Sequence, residues 1–436
     1  MQNEVRKSGD VMNKRIQKLN NGIMLISHRL DNVHSVTVSV NFKVGSLFET
    51  AENNGITHLL EHLLFRRLDD LTQMQLYYRT QCLGAEIIGK TFNGFLSFEI
   101  SVVPENFIPA FEIMLRYFNS FSFSEDEFDS EKKVVLKQIE NDYQSFSQWI
   151  DENYLRETQY ELPIMGTEES VENLTIDSVE AWKEKYLCPQ NSCVAITGNF
   201  TTSDYKYACE KLSLINSTGN TYEIPKVLPV GFADRNYNNR YSIFDSDSEL
   251  CDLVLFVDIG PDTDYETVRL LSSILGEGCG SRLGLELREK YALTDDIATE
   301  LKSFYGFNIL AISYTVNNCD FYKSVKILFE TINSVKQKIS KSDYDSSICF
   351  FTKNQLMDYD YPREMNRNYV LCDFVLGLTI SEPSQRRKKY ESIKIEDIEI
   401  CAKSIFKSSN ISFLIDTSLQ PESVKQFIES EIKKYF

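Results

Sequence analysis

Residues 55–65 restrict the fold of this chain more than any other stretch. They read Gly55-Ile56-Thr57-His58-Leu59-Leu60-Glu61-His62-Leu63-Leu64-Phe65. The leucines and the phenylalanine call for a helix buried on most of its surface. On a helix, residues four apart share a face, so the imidazoles of His58 and His62 can reach one metal ion. Glu61, three residues after His58, flanks that face and can take a proton from an attacking water. The order His-x-x-Glu-His is the inverse of the His-Glu-x-x-His zinc helix. Only four histidines occur in the chain, His28, His34, His58 and His62, and two of them fall here.

Composition sets the frame around that helix. With 436 residues, 42% hydrophobic and 25% charged, the chain can bury more than one core and reads as soluble and globular. Its net charge of −18 argues against nucleic acid and anionic membrane as main partners, and is compatible with cationic peptides. The ten cysteines are scattered from Cys82 to Cys401 without a Cys-x-x-Cys pair, so reduced thiols in a cytoplasm are the simplest expectation. Residues 1–18 are charged and lack the apolar core of a signal peptide, and no run is long enough to span a bilayer.

Periodicity predicts two strands within residues 21–46 and, after the His-x-x-Glu-His helix, a second helix over 71–82. A strand pair turning at Asn93-Gly94 follows, then helices over 105–121 and from Ser124 onward. A helix over 176–186 and a strand over 192–197 close the first half. Residues 216–239, rich in Asn, Gly, Pro and Thr, read as a linker. The second half repeats the plan: a strand at 253–257, a helix at 265–275, and a glycine-rich turn at 276–280 opening a helix to Tyr291. Strands near 296–301 and 308–315, two long helices, a strand at 411–415 and a final helix complete it. The expected class is α+β. Domains at 1–215 and 240–436 would each hold a mostly antiparallel sheet packed with helices.

Several motifs together resemble one family, the insulinase/pitrilysin family of zinc metallopeptidases, and within it the half-length members similar to mitochondrial processing peptidase subunits. Gly45-Ser46…Glu49 followed by residues 55–65 is very like that family's N-terminal signature. Tyr186-Leu187-Cys188-Pro189-Gln190-Asn191 and Gly198-Asn199-Phe200 look like the end of its first domain. Gly276-Glu277-Gly278-Cys279-Gly280-Ser281-Arg282-Leu283 with Leu287-Arg288-Glu289-Lys290 looks like its second-domain segment. The resemblance implies two similar domains forming one half of a clam-shell chamber that admits peptides. His58 and His62 would bind Zn2+, Glu61 would be the general base, and Glu131 would be a supporting carboxylate of the catalytic set. Gly84, Ala85 and Ile88 would lie on the substrate-binding edge strand, and Arg288 would grip the substrate.

This chain departs from the family at three positions. Where the resemblance implies a glutamate as third metal ligand, the chain has Gln138, whose amide can touch zinc but carries no charge. Glu131 shares that helix face about 10 Å away along the axis, and Glu140 points roughly 200° away, so neither replaces Gln138 without rearrangement. Ile88 stands where the family's Gly-x-x-x-Asn-Ala-x-Thr strand has Asn, and Asp295 stands where its Arg is followed by a Tyr. Two readings follow. One is a zinc-dependent endopeptidase subunit for extended peptides, with leader or targeting peptides as candidates, completed by a homologous partner as a heterodimer. The other is a catalytically silent, peptide-binding or scaffold subunit. Asp245-Ser246-Asp247-Ser248-Glu249 lacks the glycine of a calcium loop, and residues 276–280 lack the Lys-Ser/Thr of a phosphate loop.

Overall fold

Strand β3 (Val36–Phe42) is buried along its whole length. Val36, Val38, Val40 and Phe42 enter an apolar core, while Thr37, Ser39 and Asn41 are equally buried between them. A strand covered on both faces belongs inside a sheet. The computed structural model describes residues 14–142, 160–217, 241–260, 262–304, 307–378 and 383–436, and β3 lies well inside its first sheet. Six strands run in the order β1-β2-β8-β3-β7-β6. They are β1 (Arg15–Lys18), β2 (Met24–Arg29), β3, β6 (Ile87–Thr91), β7 (Leu96–Val102) and β8 (Ser192–Gly198). All neighbours are antiparallel except β2 and β8. The short β4 (Arg67–Leu68) and β5 (Leu71–Thr72) pair only with each other.

Helices α1 (Ile56–Arg66), α2 (Gln73–Cys82), α3 (Phe107–Leu115) and α4 (Glu125–Asp142) follow in chain order. Ile56, Leu59, Leu60, Leu63 and Leu64 of α1 are all at most 1% exposed in the first core. Each such burial is worth about 1.5–3 kcal/mol, so the apolar residues of the motif anchor the helix that carries its polar ones. Glu49 closes the N-terminus of α1. Its carboxylate accepts from the Gly55 and Thr57 backbone N–H groups at 2.8 and 3.0 Å, and from Asn54 Nδ2 at 2.9 Å. Backbone donors that a helix leaves unpaired at its start are satisfied in this way.

The second unit has five strands: β9 (Tyr241–Asp245), β10 (Leu250–Ile259), β11 (Ile297–Phe304), β12 (Phe307–Asn317) and β13 (Ile411–Thr417). Their order is β11-β12-β10-β13-β9, with only β13 and β9 parallel. Numbered in chain order, the strands read 1-5-2-4-3 in this sheet, and also in the first sheet once β1 is set aside. The parallel pair is 1 and 5 in both. The two domains are therefore similar in topology, as the repeated pattern of the sequence implies, and the class is α+β.

The compact units divide at Lys226/Val227, within the span read as a linker, and residues 218–239 of that span lie outside the described residues. The first unit also takes Met357–Ile380, which the sequence reading leaves in a continuous second half. Between β12 and β13 the chain forms more than the two long helices expected. Phe321–Gln337 and Lys341–Met357 are followed by Pro362–Tyr369, a π-helical turn at Val370–Val375, Pro383–Ser392 and Ile395–Ile405. The helix Pro362–Tyr369 covers the face of the first sheet opposite α1. Met365, Tyr369, Val370 and Phe374 bury themselves with Ile26, Phe95, Cys193 and Ala195. Asn366 accepts from Ser39 Oγ at 2.6 Å, and Arg367 forks onto Glu99 at 2.6 and 3.0 Å. Lys14 pairs with Asp373 at 2.6 Å. Apolar periodicity announces a helix but not which sheet it covers.

Candidate metal centre

Helix α1 presents His58 and His62 side by side, ring centroids 4.8 Å apart. Helix α4 runs against it and brings up two side chains seven residues apart, Glu131 and Gln138. His62 Nδ1 lies 3.0 Å from Glu131 Oε2, and the other Glu131 oxygen accepts from Arg66 Nε. Burial pushes the Glu131 carboxyl up, but the hydrogen bonds of His62 and Arg66 outweigh it and hold the group below the usual carboxylate range. A carboxylate on Nδ1 fixes the His62 tautomer and leaves Nε2 with a free lone pair. His58 Nε2 lies 3.1 Å from Gln138 Oε1. Burial, with His62 beside it, lowers the His58 pKa to about 4, so this imidazole is neutral near pH 7. Its Nδ1 is buried without a hydrogen-bond partner.

These residues fit a cation. Two ligands about 2.1 Å from a tetrahedral ion stand about 3.4 Å apart, close to the separation of His58 Nε2 and Gln138 Oε1. The donors are two imidazoles and one amide, none of them an anion. Among the described residues no cluster of three or more His, Cys, Asp or Glu could hold a metal. Glu140 is exposed on α4.

Glu61 is the carboxylate nearest the histidines that is not committed to an arginine. Its Oε2 lies 3.8 Å from His58 Nδ1 and accepts a 2.5 Å hydrogen bond from Thr91 Oγ1 on β6. Burial raises its pKa, and the Thr91 hydrogen bond offsets part of that rise. Gly89, two residues before Thr91, makes the approach possible. A Cβ there would lie 2.5 Å from Phe65 Cε2 and 3.0 Å from Glu61 Oε1. Thr91 and Gly89 belong to the edge-strand motif, but only the fold makes them neighbours of Glu61.

The remaining predicted residues have distinct settings. Ile88 lies on β6, half-buried, facing away from α1. Gly84 ends α2 in the left-handed region at φ 68°. Its N–H bonds to the Gln81 carbonyl, and the Ala85 N–H reaches back to Thr80, both at about 3 Å. This double closure is the Schellman cap that favours glycine, so Gly84 and Ala85 have a structural role in turning the chain into β6. Arg288 belongs to the second unit, on the π-helical stretch Gly284–Lys290. It lies 3.7 Å from Glu289 and donates to Cys279 Sγ at 3.4 Å. Asp295 is exposed. All ten cysteines are free thiols, and among the described residues no helix is long and apolar enough to cross a membrane.

Known proteins resemble this chain in sequence and in fold. The family model described as "Insulinase (Peptidase family M16)" matches residues 24–168, and that described as "Peptidase M16 inactive domain" matches residues 173–348. An uncharacterized zinc protease of Rickettsia bellii is 23% identical over 415 residues, covering 92% of this chain and 97% of that protein. A probable mitochondrial-processing peptidase subunit beta of Arabidopsis thaliana is 22% identical over 303 residues, 66% of this chain and 56% of that one. The crystal structure of a protease from Helicobacter pylori superposes with a TM-score of 0.79 at 19% identity, covering 93% of this chain and 99% of the other.

Proposed function

The chain belongs to the insulinase (peptidase M16) family, and on that footing we propose that it is the metal-bearing subunit of a zinc-dependent endopeptidase that cleaves extended peptides. The observation that carries this reading is the convergence of His58, His62, Glu61 and Gln138 beside the open sheet edge β6. Zinc, when bound by His58, His62 and Gln138, would supply Lewis-acid polarisation of a carbonyl and of water. The chain's own residues do the rest. A peptide pairs its main chain with β6. Glu61, fixed by Thr91, takes a proton from the attacking water and returns it to the leaving amine, a task suited to a carboxyl whose pKa burial has raised. Glu131 holds His62 in one tautomer.

The same reading includes a homologous partner. Asp295 cannot supply the hydroxyl that the family resemblance places there, and a relative is named as a subunit beta. The ten free thiols support a cytoplasmic setting. Gln138 favours a second reading, a silent peptide-binding subunit that supports an active homologue. Zinc content and cleavage of extended peptides, measured with and without a co-expressed homologue, separate the two. The enzyme reading expects weak activity alone and full activity in a stable heterodimer. Full activity from a monomer would remove the partner. A complex in which this chain holds no zinc, and gains none in Gln138→Glu, leaves the silent subunit.

A further inference from the structure

Strand β6 is bonded to β7 on one side, and among the described residues no strand pairs with its other side. Its side chains alternate between two faces. Gly89 and Thr91 face α1, against Phe65 and Glu61. Ile88 and Lys90 face the opposite way, paired with Glu99 and Ser97 of β7. On that side Ile88, Lys90, Phe92, Glu99 and Arg367 line one cleft.

The charges in the cleft do not cancel. Glu99 is 3% exposed and is the single buried carboxylate there. It holds Arg367 through two hydrogen bonds and has Arg363 at 3.6 Å. Both arginine side chains keep about 40% of their surface open. Glu364 meets Arg367 at 2.9 Å from the solvent side. Lys90 is exposed, its Nζ 5.0 Å from the Phe92 ring centroid, and among the described residues it has no ion pair. The cleft is thus a cationic spot on a chain of net charge −18.

A peptide paired with β6 must alternate as β6 does, with one set of side chains toward Glu61 and the histidines and the other toward this cleft. A basic side chain there would meet Lys90 and Arg367. An apolar one would find Ile88 but would strip water from Lys90 and Arg367, and Lys90 has no carboxylate among the described residues to offset that. An acidic one pairs with both while its methylenes rest on Ile88 and Phe92. We propose that the cleft beside β6 is a subsite for an acidic side chain of an extended peptide. This rests on the reading that peptides bind along β6, and it adds a substrate preference to that reading.

The test is peptide binding to the Glu61→Gln form of the full chain, co-purified with its homologue, so that nothing is cleaved. Fluorescently labelled extended peptides carry Glu, Gln or Lys at each position in turn, and anisotropy gives Kd. The Glu peptides should bind roughly threefold to fivefold tighter than the Gln peptides, at alternate positions only, with Lys weakest. High salt should remove the preference, and Lys90→Glu should reverse it in favour of Lys. Peptides that bind equally well whatever the charge, or whose preference survives Lys90→Glu, overturn the subsite and leave the peptide reading standing. Failure of every peptide to bind overturns both.

Discussion

The two halves share a strand order of 1-5-2-4-3 and place a helix between their second and third strands, yet they close the contact between that helix and the edge strand in opposite ways. In the second half the helix Tyr265–Gly276 meets β11 through its backbone. Thr299 Oγ1 donates to the Ser272 carbonyl at 3.1 Å, and a Cβ on Gly276 would lie 2.3 Å from Thr299 Cγ2. In the first half the glycine is on the strand instead. Gly89 leaves room for the Glu61 side chain, and Thr91 bonds a carboxylate rather than a carbonyl. All four histidines fall in the first half. One topology therefore holds a tight helix–strand seam tied through a backbone carbonyl in one copy, and in the other an equally tight seam tied through a buried carboxyl beside two imidazoles.

The strongest way to break this contrast is at Glu61. Glu61→Gln, assayed in the proposed complex with a co-expressed homologue, should cut kcat about 10²–10⁴-fold. Peptide affinity and zinc content should stay close to wild type. If cleavage persists undiminished, the seam of the first half is not where the chemistry happens.

The charge of the third donor comes next. Gln138→Glu adds a carboxylate where the structure offers an amide 3.1 Å from His58 Nε2. A new unit charge in contact with a cation gains a few kcal/mol net of what desolvation takes back. Zinc retention against a chelator should therefore improve roughly tenfold. Looser zinc in the variant would show that Gln138 faces the site in some other way.

What the sequence made legible follows from the kind of interaction involved. The α1 motif, the strand pair turning at Asn93-Gly94 and the placement of Glu131 and Gln138 on one helix face all depend on local periodicity, and the structure has each of them. Met357–Ile380 groups with the first sheet, away from the rest of the second half, through apolar and polar pairs far apart in the chain. Asn366 with Ser39 and Arg367 with Glu99 are such pairs. Glu49 was visible as part of a motif, but its service as a cap to α1 needs the loop to fold back over six to eight residues. Gly89 was invisible for the same reason: only the approach of Phe65 and Glu61 gives a missing side chain a purpose.

Adding a methyl group sharpens the comparison between the seams. Gly89→Ala and Gly276→Ala each force a Cβ to within 2.5 Å of a neighbour's carbon, on Phe65 and on Thr299 respectively. Overpacking of this kind typically costs about 1–3 kcal/mol, so both variants should unfold at lower denaturant concentration by similar amounts. Only Gly89→Ala should also lower kcat, because only there is the displaced atom next to Glu61. Equal losses of kcat in the two variants would mean that the second seam serves catalysis as well.

The smallest expected effects come from the two threonines, and they separate support of a carboxylate from support of a backbone. Thr91→Val keeps the shape of the side chain and removes the donor to Glu61 Oε2. The backbone N–H of residue 91 still donates to Glu61, but a buried carboxylate loses one of its donors, which costs about 1–3 kcal/mol of stability. Glu61 is then held by one bond in place of two, so kcat should fall, by about tenfold, with KM nearly unchanged. Thr299→Val removes a donor from the Ser272 carbonyl, which belongs to a helix that supplies its own backbone donor four residues on. Its loss should be only about 0.5–1.5 kcal/mol, with kcat as in wild type. Thr91→Ser, which restores the hydroxyl, should recover most of the lost kcat. If Thr91→Val and Thr299→Val instead behave alike in both stability and rate, Thr91 merely packs the seam, and the difference between the halves lies in Gly89 and Glu61 alone.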